Sequence, residues 1–141
     1  EDAEGRVLWQ TEPSRKEVAD PQVAAIVRDM MSTVINNGSG YPARDPANNG
    51  LPYSVPAAGK TGTTNDGTDV WFIGYTPTFS TGVWMGNPQR KENLGGGMTG
   101  GHGALPFFNA FMNPFMKDKP RESFPAVPPI PPEISASWLR R

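Results

Sequence analysis

Residues 58–64 read Ala58-Gly59-Lys60-Thr61-Gly62-Thr63-Thr64, and no other stretch of the chain gathers as many groups able to do chemistry. Lys60 offers a positive charge, and Thr61 and Thr63 offer two hydroxyls on either side of a glycine. On a strand, side chains two residues apart share a face, so Thr61 and Thr63 can reach one ligand. A cation beside paired hydroxyl donors suits an anionic oxygen group such as a carboxylate. Gly62 leaves the strand edge clear, and a backbone N–H there could donate to an oxyanion, a contact typically worth ~3–4 kcal/mol of barrier. A phosphate-binding loop is the competing reading. That pattern, G-x-x-x-x-G-K-[ST], requires glycine where Ser54 stands and a helix opening at the lysine. Here Pro56 sits inside the would-be loop, and Lys60 runs on into Thr-Gly-Thr-Thr-Asn-Asp-Gly, a poor helix former. The plainest alternative is a surface strand whose lysine is only solvated.

The elements that must position this segment follow from pattern. Asp20 is a good N-cap and Pro21 suits a first helical position, so a helix is expected over 21–36. Val23, Ile26, Val27, Met30, Met31, Val34 and Ile35 fall at the spacing of one buried face, and Asn36-Asn37-Gly38 supplies a left-handed stop. Residues 38–54 read as loop. Three strands are expected at 55–64, 69–76 and 79–86, joined by turns at Asn65-Asp66-Gly67 and Thr76-Pro77-Thr78; such short connections imply an antiparallel meander. In the third, Phe79, Thr81, Val83 and Met85 alternate with Ser80, Gly82, Trp84 and Gly86. After a glycine-rich loop, residues 104–113 read as a helix, with Pro106 in its first turn and Pro114 ending or kinking it. Residues 5–10 read as a short strand. The expected architecture is α+β, an antiparallel sheet with flanking helices. It divides into 1–118 and a proline-rich tail or linker at 119–141.

The flanks of the Lys-Thr-Gly triplet carry a resemblance. Gly59-Lys60-Thr61-Gly62-Thr63-Thr64-Asn65-Asp66, then Asp69-x-Trp71-Phe72-x-Gly74-Tyr75-Thr76-Pro77, then Gly82-Val83-Trp84-x-Gly86, closely resemble the bifunctional, class A penicillin-binding proteins. Thr99-Gly100-Gly101, Ala104, Pro106, Phe111-Met112, the 21–36 helix through Gly38-Ser39-Gly40, and Phe124-Pro125 extend the likeness from about Gly5 to Ile130. The resemblance implies the C-terminal part of a transpeptidase domain of β-lactamase-like fold, incomplete in this chain. In such a domain a serine attacks the penultimate D-Ala carbonyl of a peptidoglycan stem peptide, an amine then takes the acyl group, and β-lactams trap the serine. Lys60 would support the field and proton network. Thr61 and Thr63 would bind the carboxylate, the Thr63 N–H would form half of an oxyanion hole, and Gly62 would keep the strand clear. It also implies an outward-facing location at the bacterial cytoplasmic membrane, with an anchor elsewhere. A carboxypeptidase or β-lactamase of the same fold, or a non-catalytic module derived from it, are the alternatives.

Two further motifs accompany Lys-Thr-Gly in penicillin-recognising serine acyl-transferases, S-x-x-K and S-D-N. None of the eight serines has lysine three positions later, and no serine or tyrosine has asparagine two positions later. A serine needs its base within hydrogen-bond reach, so the chain alone is expected to be inactive, with the remainder of the domain as its partner and a large apolar surface exposed in its absence. The balance of 13 basic and 14 acidic residues, without a basic block, argues against nucleic acid. No apolar run is long enough to cross a membrane. Without cysteine, and with His102 the only histidine, neither a metal nor a cofactor is expected. Trp71, Phe72, Tyr75 and Trp84 read as core rather than as a ligand platform, and Asp66 and Asp69 as turn and strand-start residues rather than an acid–base pair.

Overall fold

The first helix, α1 (Pro21–Asn37), starts where capping chemistry demands. The Asp20 carboxylate accepts the N–H groups of Gln22 at 2.7 Å and Val23 at 3.3 Å, satisfying donors that the first turn leaves open. The computed structural model describes residues 2–12, 14, 16–89, 92–126 and 129. At the other end of α1 the Gly38 and Gly40 N–H groups both donate to the Val34 carbonyl at 3.0 Å. The helix therefore stops where expected, but not by a left-handed residue: Gly38 has φ −114°. The value of glycine here is close approach, since a Cβ would stand 3.0 Å from the Val34 carbonyl oxygen. The expected loop that follows contains two short 3-10 turns, Tyr41–Ala43 and Pro46–Asn48.

The three strands form as an antiparallel meander, β1 (Ala58–Thr63), β2 (Asp69–Tyr75) and β3 (Ser80–Gly86), in the order β1-β2-β3. Each falls within its expected span: β1 is shorter at both ends, β2 stops one residue early and β3 starts one residue late. Thr61 pairs with Phe72 and Phe72 with Val83, while Gly62 pairs with Trp71 and Trp71 with Trp84. Paired residues share a face, so one face carries Thr61, Thr63, Val70, Phe72, Val83 and Met85. The other carries Lys60, Gly62, Trp71, Ile73 and Trp84. The second helix, α2 (Ala104–Met116), covers the first face. Phe108 meets Phe72 edge-on at 4.7 Å, over Gly74, where a Cβ would stand 2.6 Å from the Phe108 ring. Ile35, Leu51, Val55, Leu105 and Met112 complete a buried cluster.

Several expectations are corrected. Residues 5–10 form no strand: no other strand pairs with them, and Val7, Leu8 and Trp9 are exposed. Pro114 does not end α2, which runs on to Met116. The apolar residues of α1 are not one buried face. Ile35 is fully buried, but Val23, Ile26, Val27 and Met30 lie open, Met30 at 64% exposure. Phe72 is core as expected, whereas Trp71 and Trp84 are 44% and 41% exposed, tilted at 42° with ring centres 6.2 Å apart. Over 119–126 the tail forms neither helix nor strand, with Phe124 set edge-on to Tyr75 at 5.8 Å; the rest of it, Pro129 apart, lies outside the described residues.

Candidate substrate-binding strand

The Lys-Thr-Gly-Thr segment lies on β1, at one edge of the sheet as described. A buried clasp fixes the approach to it. Arg44, only 5% exposed, sends Nη1 to the carbonyls of Pro52 at 3.0 Å and Val55 at 2.9 Å, and Nε to Asn36 Oδ1 at 3.0 Å. One side chain thus ties the end of α1 to the segment that leads into β1. Burial lowers the Arg44 pKa from its ordinary value, the nearby Tyr53 opposing that shift. Asn109 of α2, also buried, donates to the carbonyls of Pro42 and Asn48, both at 2.9 Å, and pins the same loop from the other side.

On β1 the two threonines share a face, as their spacing requires, and each has a partner distant in sequence. Thr61 Oγ1 stands 2.9 Å from Ser39 Oγ, just past the end of α1. Thr63 Oγ1 accepts the Gly100 N–H at 3.1 Å, from the loop before α2. Lys60 and Gly62 belong to the opposite face. The Lys60 ammonium returns along the edge to the Thr61 carbonyl at 3.0 Å, so the four residues gather around a strand edge rather than on one surface. Gly62 is hemmed on both sides: a Cβ would meet Trp71 Cβ at 3.2 Å, and Gly100 lies against its backbone. At Gly100 itself a Cβ would collide with the Trp71 carbonyl oxygen and fall 2.7 Å from that of Gly62. Only glycine permits this loop to rest on the strand.

The other candidates form no second centre. His102 Nδ1 pairs with Thr99 Oγ1 at 2.9 Å. Asp69 accepts from Trp84 Nε1 at 3.0 Å and from the Thr68 hydroxyl at 2.8 Å, which makes it a strand-start anchor rather than half of an acid–base pair with Asp66. Sequence pattern alone does not pair Ser39 or Gly100 with the threonines. Their separations of 22 and 37 residues carry no periodic signal, although both glycine-flanked segments, Gly38-Ser39-Gly40 and Thr99-Gly100-Gly101, stand out as part of the resemblance.

Comparison with known proteins identifies the family and the fold. The model of the penicillin binding protein transpeptidase domain matches residues 3–113. Penicillin-binding protein 1A of Pseudomonas aeruginosa is 36% identical over 128 residues, covering 91% of this chain and 15% of the relative. That of Aquifex aeolicus is 34% identical over 127 residues, covering 90% of this chain and 16% of the relative. The crystal structure of penicillin-binding protein 1A from Haemophilus influenzae superposes with a TM-score of 0.66 at 25% identity, over 79% of this chain and 17% of the other. The chain thus spans about a sixth of the length of these proteins. Its three-stranded sheet and helices form part of the same fold, and the chain belongs to the penicillin-binding protein transpeptidase domain family.

Proposed function

We propose that this segment supplies the substrate-binding strand of a penicillin-sensitive serine D,D-transpeptidase that cross-links peptidoglycan stem peptides. The observation that carries the reading is the pair of threonine hydroxyls on one face of an edge strand, bracketing a glycine and adjoining a lysine, in a chain of the transpeptidase family. The stem peptide's terminal carboxylate is held by Thr61 and Thr63 within the field of Lys60, through charge-assisted hydrogen bonds stronger than neutral ones. A serine from outside this chain attacks the penultimate carbonyl. The Thr63 N–H stabilises the resulting oxyanion, the terminal D-Ala leaves, and an amine of a neighbouring stem peptide takes the acyl group. Gly62 keeps side-chain bulk from the edge along which the peptide lies.

The chain has no serine with lysine three positions on, so its partner is the remainder of the transpeptidase domain, which covers the open apolar side of α1 and the Trp71–Trp84 face. No helix among the described residues is long and apolar enough to cross a membrane. The outward-facing position at the bacterial cytoplasmic membrane that this activity requires therefore rests on an anchor elsewhere. Intact-protein mass before and after penicillin treatment tests the reading. In the assembly that holds this segment, the adduct is expected on a serine outside residues 1–141, and this chain alone is expected to stay unmodified. Acylation of any of its own serines would overturn the assignment.

A further inference from the structure

Each threonine of the strand has one hydroxyl proton to give, and whether it points at a ligand depends on what else the oxygen holds. For Thr63 the direction is settled by chemistry. The Gly100 backbone N–H can only donate, so at 3.1 Å it occupies a lone pair of Thr63 Oγ1 and leaves the threonine proton for another acceptor. Thr61 is held instead by a hydroxyl, Ser39 Oγ at 2.9 Å, where either oxygen can be the donor. If Thr61 donated to Ser39, its proton would be lost to a ligand. With an anion present the alternative is preferred: Ser39 donates to Thr61, and Thr61 donates outward, two linked hydrogen bonds that polarise one another.

Ser39 is built to do this. The two residues beside it, Gly38 and Gly40, both donate to the Val34 carbonyl at 3.0 Å, and the Tyr41 N–H returns to the Gly38 carbonyl at 2.9 Å. The serine is therefore presented on a tight turn rather than on a loose loop. The loop that supplies Gly100 also reaches this turn, for a Cβ at Gly101 would stand 3.1 Å from the Ser39 carbonyl oxygen. We infer that Ser39 is a positioning residue that orients the Thr61 hydroxyl as a donor to the carboxylate of the ligand, the side-chain counterpart of what the Gly100 N–H does for Thr63. This rests on the carboxylate-binding reading of the strand given above. It adds a group that lies outside the Lys-Thr-Gly motif and that itself touches neither the carboxylate nor the reacting atoms.

The test compares acylation of the complete assembly by a penicillin and by the methyl ester of the same penicillin, which lacks the anion. Ser39→Ala is expected to lower the second-order acylation rate of the free acid by about five- to tenfold, the range for one lost hydrogen-bond partner, and to leave the ester rate unchanged. Ser39→Thr, which restores the hydroxyl, is expected to recover the acid-to-ester ratio. If Ser39→Ala slows both compounds alike, or neither, the positioning role is overturned. Thr61→Val separates this from the parent reading. When it lowers the acid-to-ester ratio while Ser39→Ala does not, the strand binds carboxylate and only the role of Ser39 fails. When Thr61→Val leaves the ratio unchanged, carboxylate binding by the strand fails, and the inference falls with it.

Discussion

Arg44 takes a guanidinium into the interior, where it donates to neutral oxygens of Asn36, Leu51, Pro52 and Val55 and lies 5.1 Å from the centre of the Tyr53 ring. Among the described residues no ion pair holds it. Among the oxygens it reaches are the buried carbonyls of Leu51 and Val55, while that of Pro52 also accepts the Val55 N–H, and the planar fork of arginine serves several at once. Replacing it with methionine keeps much of the apolar stem but strands those carbonyls, at about 1–3 kcal/mol for each buried group left unpaired. Arg44→Met is expected to cost about 3 kcal/mol in all, and Arg44→Lys less, since an ammonium can keep one or two of the contacts. Urea unfolding of the complete domain measures both. The order to look for is arginine, lysine, methionine; a methionine variant as stable as the parent would show that the clasp is dispensable. Acylation should fall as well, because the clasp fixes the segment from which β1 starts.

At the scale of the elements, the tail is attached through Tyr75. Its ring meets Phe124 edge-on, Arg28 lies 5.4 Å from the centre of the Phe124 ring, and the Arg28 guanidinium donates to the Pro125 carbonyl. Burial raises the Tyr75 pKa above its ordinary value of 10.0, and the positive charge of Arg28 partly offsets this. The sign follows: the neutral phenol is favoured in the fold, so its contribution is fully present below pH 10.0 and is lost as pH rises through the higher folded-state value. Tyr75→Phe is expected to remove that alkaline loss while leaving the profile below it unchanged, as read by thermal melts across the alkaline range. Much of this level was legible in the chain. Asp20-Pro21 marks the start of α1, and the turns at Asn65-Asp66-Gly67 and Thr76-Pro77-Thr78 mark the meander, because caps and turns are local chemistry. What failed depended on neighbours. The 5–10 segment has strand-forming residues but no strand beside it. Pro114 sits in the last turn of α2, where few hydrogen bonds remain to be broken. The α1 pattern is apolar on more than the side that meets the sheet, so its periodicity locates a helix but does not say how much of it these residues bury. The threonine spacing is readable in the same way, since it follows from the strand period; the Ser39 and Gly100 contacts are not, since only the closed fold brings them near.

At the scale of the molecule, the exposed side of α1 and the outer sheet face leave Val27, Met30, Trp71, Ile73 and Trp84 in contact with water. Patches of this kind on a monomer mark a surface meant to be covered. The isolated chain is therefore expected to bind a hydrophobic dye strongly, and the complete assembly to bind it weakly. A chain that melts cooperatively as a monomer without binding the dye would remove the case for a missing partner surface. The Gly100 contact has a different consequence, one of timing. A chain made from its N-terminus has the whole Lys-Thr-Gly strand and the other two strands of the meander once Gly86 is in place, yet the group that fixes the Thr63 hydroxyl comes only with Gly100. A nascent chain arrested between those points carries every residue of the motif and still lacks the contact that fixes the Thr63 hydroxyl, so the arrangement of the strand is completed by the glycine loop and not by the motif.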